Sequence, residues 1–371
     1  MKNICIITAT RAEYGYLSGL INKIYSSSDF NLQLVVTGAH LLKEQGYTIE
    51  EIKKDGYPIA AEVDVAIDNS SEFAIACTMS RYALQFAEVF KCLQPDIVFV
   101  LGDRYELLPI CSAAFMMKIP IAHISGGDVT EGALDDAIRN AVTMLATYHF
   151  PGTEDSAKNI IRMRGNDKNV FTVGEPTLDF YKTENLLSRD ELAIILNIDI
   201  NKNWILFTYH PETMETLEYN INAVKNSIDV LLEFNNIQVI ITKSNTDYGG
   251  KEINEFLEFV ADQEHSKFLV FSSLGQLKYL SVMKQCSLVM GNSSSGIIET
   301  PFLSVPAVNI GNRQKGRYQC SNIIQCTTSR TDIRDAVNKA LLAGKKEYSD
   351  KNYWGDGDTA TQIYKSLYEF F

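Results

Sequence analysis

The residues best suited to move protons lie in two neighbouring stretches, LGDRYE at 101–106 and HISGGDVTEGALDDAIRN at 123–140. The first puts Asp103 and Arg104 directly after the apolar run VFVLG. The second gathers His123, Ser125, Asp128, Glu131, Asp135 and Asp136 within fourteen positions. Carboxylates held close raise one another's pKa, the arrangement that acid–base chemistry at a carbon or a water requires. A plainer alternative has Asp135 or Asp136 capping the helix that continues as AIRNAVTML, with Glu131 merely solvated.

A second group of residues suits an anion. GNSSSGIIETP at 291–301 follows the apolar strand SLVM and opens a helical pattern. There Ser293, Ser294, Ser295 and Gly296 offer backbone N–H groups and hydroxyls to phosphate oxygens at a helix start. Glu299, one turn on, is placed to accept from a ribose diol. The alternative is a Ser-rich helix cap with Glu299 in solvent. Arg11 in TATRAEYG and Arg313 in NIGNRQKGR carry the fork that grips a diphosphate, or else make surface ion pairs. His210 in LFTYHPET ends an apolar strand, where an imidazole donates to a phosphate or exchanges a proton. KSNTDYGG at 243–250 holds Asn245 and Asp247, in a loop able to approach a base or sugar or in a simple turn.

Several chemistries lack support. No G-x-G-x-x-G follows the first strand, and neither G-x-x-x-x-G-K-[ST] nor G-x-S-x-G occurs. The five histidines (40, 123, 149, 210, 265) have no close ligand spacing, so no metal and no cofactor are expected.

These residues need strands and helices to hold them, and the chain alternates the two. NICIIT, LQLVVTG, DIVFVLGD and IPIAHISGG are strands, with helices at about 14–25, 80–93 and 105–117 between them. NVFTVGEP reads as one more strand. A second series runs WILFTYHP, IQVIITKSN, FLVFSS, SLVMGN and VPAVNIG, with helices near 214–234, 251–263, 275–285 and from 295. The rhythm predicts α/β architecture: two doubly wound Rossmann-like domains facing a central cleft, with ligands at the carboxyl ends of the strands. We set the domains at 1–175 and 176–357, with 358–371 a helix packing across both.

With 371 residues, 46% of them hydrophobic, the chain can bury two cores. Its net charge of −12 argues against nucleic-acid or anionic-membrane partners. The N-terminus reads as a first buried strand rather than a signal peptide, and no apolar run reaches membrane-span length. Seven cysteines without a C-x-x-C pair fit reduced core thiols in a cytoplasmic protein.

Taken together, TRAEYG, LGDRYE, the HI-x-GG-acid segment with its DD-x-x-R, HPET, the N-x-D-x-G loop, GNSSSGIIE and NIG-x-RQ-x-GR resemble, in order and spacing, the hydrolysing UDP-N-acetylglucosamine 2-epimerases of sialic- and legionaminic-acid biosynthesis. The resemblance covers nearly the whole chain and implies a GT-B-like fold, UDP-sugar as substrate and UDP as product. By that resemblance Arg11, Asn245, Asp247, Ser293, Ser294, Ser295, Gly296, Glu299 and Arg313 contact the nucleotide, and His210 serves near the leaving diphosphate. Asp103 and Asp135 fall on catalytic positions. Some members carry a glutamate directly after HI where this chain has Ser125, so Asp128 or Glu131 is expected to take that role. UDP-N-acetylglucosamine is the first substrate expected and its 2,4-diacetamido-2,4,6-trideoxy analogue the second, with a GT-B glycosyltransferase as the competing activity. A homodimer or dimer of dimers is the base-rate expectation.

Overall fold

A computed structural model describes residues 1–43, 46–68, 70–129, 134–183, 185–245 and 249–371. In chain order the first half runs β1 (Lys2–Thr8), α1 (Arg11–Tyr25), β2 (Phe30–Thr37), α2 (Ile49–Lys54), β3 (Ile59–Val63), α3 (Glu72–Leu93), β4 (Ile97–Leu101), α4 (Leu107–Met116), β5 (Ile121–Ile124), α5 (Leu134–Leu145), β6 (Tyr148–Phe150), α6 (Glu154–Arg164) and α7 (Phe180–Thr183). The second half runs α8 (Arg189–Leu196), β7 (Asn203–Thr208), α9 (Leu217–Glu233), β8 (Ile237–Thr242), α10 (Gly250–Gln263), β9 (Phe268–Phe271), α11 (Gly275–Gln285), β10 (Leu288–Gly291), α12 (Ser295–Phe302), β11 (Ala307–Ile310), β12 (Ile323–Cys326), α13 (Arg330–Ala343) and α14 (Thr359–Phe370).

The chain divides into two compact units. Met1–Val129, Leu134–Lys182 and Gly355–Phe371 make the first, and Thr183–Trp354 the second. Sequence alone had set these limits at 175/176 and 357/358. Each unit is a six-stranded sheet whose described pairings are all parallel, in the order β3-β2-β1-β4-β5-β6 and β9-β8-β7-β10-β11-β12. The physical cause is burial on both faces, which lets runs such as IVFVL and WILF stay apolar throughout. In β1, Ile4 and Ile6 enter one core layer with Leu17 and Ile21 of α1, while Cys5 and Ile7 enter the other with Tyr82, Phe86 and Phe90 of α3. In β7, Ile205 and Phe207 pack with α9 and α13 on one face, and Trp204 and Leu206 with α8 and α11 on the other.

Strand order reverses between β1 and β4 in the first unit and between β7 and β10 in the second. At such switch points the crossover loops diverge and leave a crevice outside the carboxyl ends of the strands. Arg11 and Asp103 follow β1 and β4, and His210 and Ser293 follow β7 and β10.

Three local expectations change. α3 begins at Glu72, well before residue 80, because Ser71 caps it by accepting the Ala74 N–H. The NVFTVGEP segment forms no full strand: it makes one bridge, His149 to Val170, before Gly174 and Pro176 turn the chain. The last helix, α14, was expected to pack across both domains; its contacts with α1, the 176–178 turn, Phe30 and Tyr148 lie in the first unit. Asp179 clasps its start, accepting the Thr359 and Ala360 N–H groups at 2.8 and 2.6 Å. Asp179→Ala is expected to lower folding stability by about 2 kcal/mol, since buried helix-start donors lose their acceptor. Urea midpoints of the full chain measure it, and a change within error would show that aromatic contacts such as Tyr148 on Phe370 hold α14 alone.

All seven cysteines are free thiols, five of them buried. No helix among the described residues is long and apolar enough to cross a membrane.

Candidate functional site

In the first unit, Gly102 takes a positive φ of 81° after β4 and turns the chain so that Asp103 leaves the strand end. The acids are organised by Arg139 of α5, which is 2% exposed. Its guanidinium is ion-paired with Asp103, lies 3.5 Å from Asp136, and donates at 2.8 Å to the Asp128 carbonyl. Asp128 is itself buried and its Oδ1 accepts the Ser156 hydroxyl at 2.6 Å. Asp136 also accepts from Asn140, within α5. Asp135 is an exposed residue of the first turn of α5. Glu131 lies outside the described residues.

His123 turns out to be a brace. Its Nε2 donates to the Gly102 carbonyl at 2.8 Å and its Nδ1 faces the Thr143 hydroxyl at 3.1 Å. Burial pushes its pKa down to about 4, so the ring stays neutral and ties β5 to the turn that carries Asp103. At the end of β1, Thr10 caps α1, and Glu13 accepts the Ala9 N–H at 2.8 Å. Burial pushes Glu13 up to about 7, opposed by the charge of Arg104, which lies 3.8 Å away and is held by Glu106 at 2.8 Å. Arg11 makes the ion pair allowed for it, with Glu51 of α2 at 3.0 Å, both side chains nearly half exposed.

The second unit gathers a different set. A Cβ on Gly291, whose φ is 134°, would collide with the Thr208 carbonyl, so glycine is what lets β10 close on β7. Asn292 then accepts the His210 N–H at 2.7 Å and donates to the His210 carbonyl at 2.8 Å. Its own carbonyl accepts from Arg313 at 3.1 Å and from Gln314 at 2.9 Å. Those bonds bring His210, Arg313 and the start of α12 together. The His210 Nδ1 accepts the Asn245 N–H at 3.1 Å, which leaves the ring proton on Nε2. Burial, reinforced by the Arg313 charge, pushes its pKa down to about 3. The imidazole is therefore neutral, with its Nε2–H available to donate.

Ser293 to Gly296 form the entry to α12, with Ser295 Oγ 2.9 Å from Ser293 Oγ and 2.6 Å from the Tyr279 hydroxyl. Glu299 is 3% exposed, which excludes the solvated alternative. Glu212 accepts the Asn312 N–H with both oxygens at 3.1 Å and fills the space a Gly311 side chain would need, fixing the loop that presents Arg313. Asp247 lies outside the described residues.

Arg139, Asn292, Glu212 and Gln314 were not picked out from sequence as site residues. Each lay inside a quoted motif, yet a buried partner reveals itself only once its bonds are seen. Among the described residues no group of three or more His, Cys, Asp and Glu side chains is arranged to hold a metal ion.

Two parallel six-stranded units, one ending in braced carboxylates and the other in an anion-suited helix start beside a neutral histidine, define a protein of the GT-B-like class. Residues 22–368 match the model of the UDP-N-acetylglucosamine 2-epimerase family, and the chain belongs to that family. It is 37% identical over 335 residues to a GDP/UDP-N,N'-diacetylbacillosamine 2-epimerase (hydrolyzing) of Campylobacter jejuni, covering 89% of this chain and 86% of the relative. It is 32% identical over 370 residues to the UDP-N,N'-diacetylbacillosamine 2-epimerase (hydrolyzing) of Legionella pneumophila, covering 99% and 96%. The crystal structure of a Neisseria meningitidis UDP-GlcNAc 2-epimerase bound to UDP-GlcNAc superposes over the full length of both chains with a TM-score of 0.80 at 16% identity. At that identity the likeness is one of fold.

Proposed function

We propose that the protein hydrolyses a UDP-activated 2-acetamido sugar with inversion at C2, releasing UDP and the free manno-configured sugar. The observation that carries this reading is Arg139 holding Asp103, Asp136 and the Asp128 backbone as one braced acidic group.

The C2 proton of such a sugar has no neighbouring carbonyl and is not acidic, so simple deprotonation cannot invert that carbon. The C1–O bond to UDP breaks with oxocarbenium character, a base removes the C2 proton to leave a glycal, and water adds at C1 as a proton returns to the other face of C2. Asp103 and Asp128 handle these protons, with Glu131 and Asp135 as the further acids of the same segment. The neutral His210 Nε2–H, Arg313 and the Ser293–Gly296 turn meet the departing diphosphate, where one preorganised donor is typically worth about 3–4 kcal/mol. Glu299 takes the ribose, and Arg11, Asn245 and Asp247 complete the nucleotide contacts. No cofactor takes part.

The names of the Campylobacter and Legionella relatives favour the 2,4-diacetamido-2,4,6-trideoxy sugar over UDP-N-acetylglucosamine as substrate. Its product suits legionaminic-acid synthesis, and that of the other suits sialic-acid synthesis. Incubating the protein with each UDP-sugar and no acceptor should release UDP and free manno sugar in equal amounts, with the higher kcat/KM naming the substrate. UDP release only on adding an acceptor would point instead to a glycosyltransferase. Asp103→Asn should cut kcat by about a thousandfold while UDP still binds, given what general acid–base groups contribute. Near-normal turnover would remove Asp103 from the mechanism.

A further inference from the structure

The turn that carries Asp128 begins at a residue in an unfavourable backbone conformation, whose side chain bonds a carboxyl group that the mechanism above does not use. Ser125, directly after β5, has φ 57°, in the left-handed region that a residue with a Cβ seldom occupies. Gly126 and Gly127 follow, and neither has room for a side chain: a Cβ on Gly126 would crowd His123, and one on Gly127 would collide with the Ser156 carbonyl. The Ser125 N–H donates to the Phe150 carbonyl at 2.9 Å, and its hydroxyl donates at 2.8 Å to Oε2 of Glu175. Glu175 is 6% exposed and comes from the segment after the His149–Val170 bridge, fifty residues away in sequence. Its carboxyl occupies the place a Gly152 side chain would take. The absence of a side chain at Gly152, after β6, thus leaves room for the buried carboxyl that accepts the Ser125 hydroxyl after β5. A strained residue persists where its surroundings over-determine it, and such residues gather at functional sites.

We propose that Glu175 is a positioning residue for this turn. By accepting the Ser125 hydroxyl it fixes the left-handed backbone that presents Asp128 to Ser156 and Arg139. It also fixes the hydroxyl itself. With its hydrogen committed to Glu175, the half-buried Ser125 oxygen meets a bound sugar or water as an acceptor only. This second part rests on the epimerase reading, whereas the first part stands without it.

The test separates the two. In the full-length chain, Glu175→Leu keeps the bulk and removes the acceptor, Glu175→Gln keeps a carbonyl acceptor, and Ser125→Gly keeps the left-handed turn without the hydroxyl. Hydrogen exchange should quicken at least tenfold at the 125–128 amides of Glu175→Leu, with β1 and β4 protected as in the wild type. Glu175→Gln and Ser125→Gly should exchange slowly there. For UDP release, kcat should fall at least tenfold in Glu175→Leu and Ser125→Gly with UDP affinity within twofold, while Glu175→Gln keeps most of its turnover. Unchanged exchange in Glu175→Leu overturns the positioning role, and full turnover in Ser125→Gly overturns the acceptor role. If Glu175→Leu melts below the assay temperature, Ser125→Ala takes its place: fast exchange supports the proposal and wild-type exchange ends it. A wild-type chain that releases no UDP from either sugar would count against the epimerase reading alone, since the exchange result stands without turnover.

Discussion

Arg139→Met is expected to lower both the stability of the first unit and its turnover. The guanidinium is 2% exposed and bonds Asp103, Asp136 and the Asp128 carbonyl at once. Removing it takes away the cation that these three bonds share and puts an apolar side chain beside the carboxylates. The Asp103 and Asp136 side chains are 28% and 32% exposed, so water takes up part of the freed charge and the loss is expected at about 2 kcal/mol, below the cost of breaking a fully buried pair. Turnover should fall about a hundredfold or more, since loosening reactive groups by an ångström is enough for that. Nucleotide affinity should change little, because the His210, Arg313 and α12 group belongs to the second unit. Urea midpoints, steady-state kinetics and UDP titration on one preparation measure all three. Adding Asp103→Asn to Arg139→Met should cost far less stability than the sum of the two singles, as expected for residues in contact. A stability loss under 1 kcal/mol for Arg139→Met would mean the acids are held by other bonds.

The second large effect concerns pH. Burial pushes His40 and His123 down to about 4, and His149 and His210 down to about 3, with the nearby cations Arg139, Arg164 and Arg313 also lowering the last three. In the unfolded chain each of these rings titrates near 6.5. A base whose folded pKa is depressed lends stability above its unfolded pKa and loses it as pH falls. Between about pH 6.5 and 4 the unfolded state therefore takes up four protons that the folded state refuses. Glu13 works the other way: raised to about 7, it is protonated in the folded state before the unfolded one and returns one proton over much of that range. From these five groups the net uptake on unfolding is about three protons, or about 4 kcal/mol per pH unit at the steepest point, and the raised Asp179 and Glu212 reduce it further toward the acid end. Denaturant midpoints should fall steeply from pH 6 to 5 while changing little from pH 8 to 7. Replacing His149 by Phe should flatten the slope by one proton. A flat profile between pH 6.5 and 5 would show that the buried rings admit protons more easily than their surroundings suggest.

The same histidines mark where sequence stops being informative. From sequence His123 and His210 look alike, each beside an apolar run and a cluster of polar residues. In the structure the first is a brace with both nitrogens engaged inside the unit, and the second keeps Nε2 as a donor beside Arg313. Arg11 and Arg313 likewise look equivalent as anion grips. Arg11 meets Glu51, and Arg313 is tied to the Asn292 carbonyl. Which partner each arginine meets depends on the elements that lie alongside, which spacing does not encode.

Alternation of apolar runs with amphipathic stretches was enough to determine two doubly wound sheets, because strands buried on both faces must be apolar throughout, and enough to place the polar motifs at strand ends. The ordered motifs were enough to determine the family. Tertiary structure alone decided which acid is braced by Arg139, that Glu175 reaches Ser125, that Glu212 fixes the loop of Arg313, and that α14 docks on the first unit through Asp179. The physical reason is range. Periodicity reports what a residue faces within its own element, whereas a buried polar group is satisfied by a partner that folding delivers from tens or hundreds of positions away, and nothing in the local pattern names that partner.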